Sequence, residues 1–223
     1  MRPGDGERYA TKGAVLSMNE FFQREINRVA EVHFFLRPVL SKALSEHVLT
    51  DEGKEFVGDY ANYQQLWTAS FGDRFFDMAT AIRLGSAIEA CLKLYYMEKK
   101  GHLNIPALKA DPKYQQNIFQ RVQSWQSNGV IALYQTELSH DLTTIPELAA
   151  IQEAMLHRHL YAHNSGLVDE DYIDRIKQIT GQDLALDPRI SATYPNDDTY
   201  WFEPLKRLNT LIESTRGFFR AFP

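Results

Sequence analysis

Cysteine is almost absent from this chain: Cys91 is the only one in 223 residues. A single thiol forms no intrachain disulfide and supplies no cysteine-based zinc site. Long apolar runs are also missing. None approaches the roughly 18 residues a membrane-crossing helix needs. Residues 1–13, M-R-P-G-D-G-E-R-Y-A-T-K-G, lack the apolar stretch of a signal peptide. A reduced, cytoplasmic setting with no membrane partner is the expectation. Basic residues are not in excess: 24 Lys and Arg face 29 Asp and Glu, a net charge of −5. That balance argues against broad, charge-driven nucleic-acid binding, though not against a local basic cleft. No segment alternates as a strand does and no stretch repeats. Glycine-rich phosphate loops and the Gly-x-Ser-x-Gly elbow are absent.

What remains is helical patterning in a chain with 44% hydrophobic and 24% charged residues, the balance of a globular protein. Residues 1–13 read as a flexible tail and 14–72 as an N-terminal helical extension. Residues 73–223 read as the main helical domain. In the extension, Met18, Phe21, Phe22, Ile26, Val29, Val32, His33 and Leu36 recur at helical spacing. Pro38 is expected to interrupt them, with a shorter helix following around 41–48. A further stripe, Phe56, Tyr60, Tyr63 and Trp67, follows Thr50-Asp51-Glu52. Arg74 to Lys99 is apolar nearly all round and is expected to be a buried central helix. Glu89 lies on its Met78–Ile82–Gly85–Tyr96 side, so the carboxylate needs either a partner or a water-accessible edge. Another helix is expected from Pro112 to about Leu138, with a kink or break at Ser127-Asn128-Gly129. Thr144-Ile145-Pro146-Glu147 has the Thr-x-x-Glu pattern of a helix start. Asp169-Glu170-Asp171 starts the next helix and Gly181 closes it. Residues 182–199 read as a long irregular connection, and a last helix spans about 200–219. The fold class is all-α, a bundle of about seven to nine helices.

Chemistry concentrates in Met155–Gly166, M-L-H-R-H-L-Y-A-H-N-S-G. Arg158 and His163 stand five positions apart, about 140° around a helix. Met155, Leu148, Ala162 and His159 project between them, a broad apolar face that something must cover. His157 projects the other way and is expected at the surface. His163 falls in the last turn, where unpaired carbonyls favour an imidazolium. Asn164-Ser165-Gly166 is the kind of ending that forms a left-handed cap. A guanidinium binds phosphate oxygens in pairs and stays charged, while an imidazole exchanges a proton near neutral pH. Together they suit RNA cleavage by internal attack of the 2′-hydroxyl, with no metal required in principle. One helix offers one such pair, and a two-fold dimer would oppose two. The competing reading is a capping histidine and an arginine paired to a core acid such as Glu89. A second Arg-x4-His match, Arg28…His33, opens no site and reads as packing plus a solvated arginine.

Arg158-His159-Leu160-Tyr161-Ala162-His163 resembles the R-x(4–6)-H motif of the HEPN superfamily, including the polar residue after the arginine. The following Asn164-Ser165-Gly166-Leu167-Val168-Asp169 resembles stand-alone bacterial and RiboL-PSP-like members. Ser86-Ala87-Ile88-Glu89 and Leu92-Lys93 are similar to the family's early helix, which carries a polar residue near the arginine. The likeness spans about residues 73–220. It implies a helical bundle that forms a homodimer around the motif, and a metal-independent, cofactor-free endoribonuclease. Toxin–antitoxin, abortive-infection (antiviral defence) and RNA-processing roles follow, with RNA as substrate and an antitoxin or regulatory protein as partner. By position, Arg158 and His163 would be catalytic, with His159, Glu89 and Asn164 supporting. Ser165 stands where some members carry a tyrosine. Other members are inactive and bind nucleotides or proteins, which gives the alternative: a catalytically inactive dimeric module. A metal site is a minor option. His159 and His163 are four apart on one helix, but the glutamate of a zinc protease motif is missing.

Overall fold

The computed structural model describes residues 18–45, 72–101, 106, 110, 129–186 and 205–222. Among them are six α-helices: α1 (Met18–Ser45), α2 (Gly72–Lys99), α3 (Val130–Leu138), α4 (Leu148–His163), α5 (Glu170–Thr180) and α6 (Leu205–Arg220). Two short 3-10 turns, Leu142–Thr144 and Leu184–Leu186, lie between α3 and α4 and between α5 and α6. The all-helical expectation holds for these residues. The Thr50–Trp67 stripe, the start of the Pro112 helix and most of the 182–199 connection lie outside the described residues. No described helix is long and apolar enough to cross a membrane.

Helix α2 is the central element, as its nearly continuous apolar sequence predicts. It packs against α4 and α1, and α6 closes the bundle by touching α1, α2 and α4. One core runs through these helices, with Phe22 and Ile26 of α1, Leu84, Ile88 and Leu92 of α2, Leu160 of α4 and Leu211 of α6 all buried. α1 therefore shares one core with the later helices. Aromatic rings fill one end of the bundle. Phe22, Tyr95, Phe219 and Phe222 meet there edge to face or tilted, and the Tyr134 hydroxyl donates to the Leu92 carbonyl.

Two local expectations are corrected. α1 continues through Pro38 to Ser45 as one helix. Proline removes its own N–H bond and crowds the carbonyl four residues earlier, but Pro38 is exposed, so that carbonyl can turn toward water. Just before it, Arg37 holds Asp77 of α2 through bonds of 2.8 and 3.1 Å. His33 sits between Thr80 and Asn209 at 3.3 and 3.1 Å. These contacts fasten the segment to its neighbours. The second correction is the start of α4. Thr144 does not cap it: Asp141 accepts from the Thr143 N–H and hydroxyl and captures the segment as a 3-10 turn. α4 then begins at Leu148, with Glu147 at its N-cap and no side-chain bond there. The short-range Asp141 bonds win because they close over two residues. Elsewhere local chemistry acts as expected. Asp169 accepts the Tyr172 N–H to start α5, and Gly181 ends it with φ 75°.

Candidate functional site at the end of α4

α4 is enclosed on three sides by α2, α5 and α6. It lies close against α2 at Gly85. A Cβ placed there would lie 2.6 Å from both Cβ and Cδ of Arg158. The missing side chain lets Arg158 cross α2 and reach Glu89, one turn further on. Its Nη2 lies 3.3 Å from Glu89 Oε2. Glu89 is 7% exposed, so the water-accessible edge is excluded and a partner was required. Lys93, another turn along α2, binds the other carboxylate oxygen. Burial lowers the Lys93 pKa, opposed by its bond to Glu89 and reinforced by the Arg158 charge.

Arg158 itself is loosely held. Its contact to Glu89 is long for a charge-assisted hydrogen bond, and its buried Nε has no hydrogen-bond partner among the described residues. About a fifth of the side chain stays exposed. A guanidinium with five donors is thus anchored at one point and has capacity for further acceptors.

The other half of the motif faces outward. His159, Ala162 and His163 are exposed, whereas Met155, on the same side nearer the start of the helix, is buried. The apolar face between Arg158 and His163 is therefore covered within the subunit at one end only. The imidazoles of His159 and His163 lie 4.8 Å apart between centroids. Partial burial, then the charges of His163 and Arg175, lower the His159 pKa against the pull of Asp169 and Asp171. His159 thus favours the neutral ring at neutral pH. The helix ends as its sequence indicated. Ser165 and Gly166 take the left-handed region with φ 52° and 89°, and the Asn164 and Gly166 N–H groups both donate to the Leu160 carbonyl. Asn164 also donates to Asp169 at 2.9 Å, tying the end of α4 to the start of α5.

His157 was expected at the surface but is 1% exposed. Its Nδ1 is 2.8 Å from the Tyr172 hydroxyl of α5, and its Nε2 is 3.5 Å from Glu153. Arg207 of α6 grips both Glu153 oxygens. Burial opposes ionisation of Glu153, but the bonds and charges of His157 and Arg207 outweigh it and lower its pKa. This network fixes the face of α4 opposite the motif. The signal was available: Glu153 and His157 are one turn apart on a helix with apolar residues on nearly every face. By contrast, Arg28 is exposed and paired to Glu25 while His33 is buried, so the second Arg-x4-His match does not bring its two side chains to one site.

Among the described residues no group of three or more His, Cys, Asp or Glu is arranged around a metal position. A surface groove of about 650 Å³ lies along α1, with Asn19, Arg24, Asn27, Arg28 and Arg220 in its walls, and contains no motif residue. Comparison of the chain with protein-family models, curated proteins and solved structures finds no match.

Proposed function

We propose that this chain is a metal-independent endoribonuclease of the HEPN type, with Arg158 and His163 as its catalytic pair. The observation that supports this most is Arg158, about a fifth exposed and held by one loose ion pair among the described residues, on the same helix end as two exposed imidazoles. A phosphodiester would offer acceptors to the exposed part of the guanidinium. His163 takes the proton of a ribose 2′-hydroxyl, and the 2′-oxygen attacks the adjacent phosphorus. The bond to the 5′-oxygen breaks, and that oxygen takes a proton from water to leave as a hydroxyl. The products are a 2′,3′-cyclic phosphate and a 5′-hydroxyl. Arg158 stabilises the charge that builds on the phosphoryl oxygens. Glu89, through Arg158, and Asn164, through the helix end, are positioning residues. Because Arg158 and His163 diverge around α4, a second subunit facing the first would bring opposite pairs onto one phosphate. In this reading the chain acts as a toxin, in abortive infection or in RNA processing, restrained by an antitoxin or regulatory protein.

The test is RNA cleavage by the purified chain in EDTA, compared with Arg158→Ala and His163→Ala. Cleavage by wild type alone supports the proposal. A second reading draws on the Arg158–Glu89 pair within one subunit and on the exposed α1 stripe Val32, Phe35, Leu36 and Val39. In that reading the chain is an inactive, partner-binding dimer. Identical behaviour of wild type and both variants toward RNA, and equal toxicity on expression, would favour it.

A further inference from the structure

We infer that His159 and His163 form a two-imidazole site for a divalent transition-metal ion of the zinc class, and that filling it blocks the proposed cleavage. The two residues are one turn apart on the continuous helix α4, and both are exposed. Their ring centroids are 4.8 Å apart. An ion with bonds of about 2.0–2.1 Å to imidazole nitrogen spans that gap after small rotations of exposed side chains. Imidazole is a preferred ligand for zinc, copper and nickel. Same-face histidines four apart on a helix are a known zinc-binding spacing.

The charged groups around the pair are mixed in sign. Asp169 and Asp171 act electrostatically on His159, opposed by Arg175, and Arg175 is itself paired to Asp171 at 3.0 Å. The Asn164–Asp169 bond holds the helix end in place beside the two rings. Two protein ligands leave the remaining coordination positions to water, so binding would be reversible and chelator-sensitive. The ion would be inhibitory: it occupies the nitrogen His163 needs for proton transfer. That second half rests on the proposed nuclease reading, and the first half does not.

Isothermal titration of the full chain with Zn²⁺ tests the site, against His159→Gln and His163→Gln. Both positions are exposed, so folding should be preserved, and circular dichroism checks it. The expected result is one ion per chain, with affinity falling on the order of 100-fold in either variant as the chelate gain disappears. Absence of uptake by wild type, or full affinity in either variant, overturns the site. RNA cleavage with saturating Zn²⁺, then excess EDTA, tests the block. Inhibition reversed by EDTA supports it, and undiminished cleavage overturns it. Zinc uptake without any cleavage in EDTA would leave the site standing and remove the nuclease reading. Cleavage without zinc uptake would do the reverse.

Discussion

Gly85→Ala places one methyl group at the contact that positions Arg158. The new Cβ would lie 2.6 Å from Arg158 Cβ and Cδ and 3.0 Å from Cγ. Cδ can swing away, but Cβ is fixed to the α4 backbone, so the two helices must separate. Alanine in place of glycine stabilises a helix interior by about 1 kcal/mol. Overpacking of this kind costs about 1–3 kcal/mol. The backbone-anchored contact puts the cost toward the upper end, leaving a net loss of about 1–2 kcal/mol. For a chain of this size that is a fall in Tm of roughly 2–8 °C. Differential scanning calorimetry reads the shift. Arg158→Ala in the same chain should restore little, because its Cβ remains. Arg158→Gly should relieve the clash and show positive coupling in a double-mutant cycle. A Gly85→Ala protein as stable as wild type or more so would refute the close approach of α4 to α2 at this point.

Two further outcomes follow from buried groups. Stability should fall as pH drops below about 6.5, because burial is the main cause of the lowered pKa values of His33 and His140. The folded state then holds their neutral forms, the unfolded state binds more protons in that window, and the stabilisation present above 6.5 is lost on acidification. A Tm that rises between pH 7.5 and 5.5 would contradict this. The Cys91 thiol is fully buried, and burial pushes its pKa up to about 12. It should resist alkylation by iodoacetamide in the native protein and react on unfolding in denaturant. Rapid labelling of the native chain would contradict its placement.

Much of this architecture was legible because it is local. The apolar surround of α2 marked it as central, and Asp169 and Gly181 marked the ends of α5 through single side chains or single φ angles. Glu89 was legible as a carboxylate needing either a partner or a water-accessible edge, and its burial decides for the partner. Other features depended on non-local contacts. Pro38 would break an isolated helix, but ties from Arg37 and His33 to α2 and α6 hold α1 intact. Thr144 has the right spacing for a cap, yet Asp141 sits closer in sequence and takes the segment first. His157 was placed in water by comparing faces of one helix, which ignores that α5 and α6 cover the far face with Tyr172 and Arg207. Gly85 carried no signal of its own: its role exists only because Arg158, 73 positions later, lies across it.

The most direct measurement uses a short RNA and the same strand with deoxyribose at the mapped cleavage position, both in EDTA. The expected result is cleavage of the RNA to a fragment ending in a 2′,3′-cyclic phosphate, none of the substituted strand, and none of either by His163→Ala. An intact RNA, cleavage at the deoxyribose position, or equal cutting by His163→Ala would contradict the account.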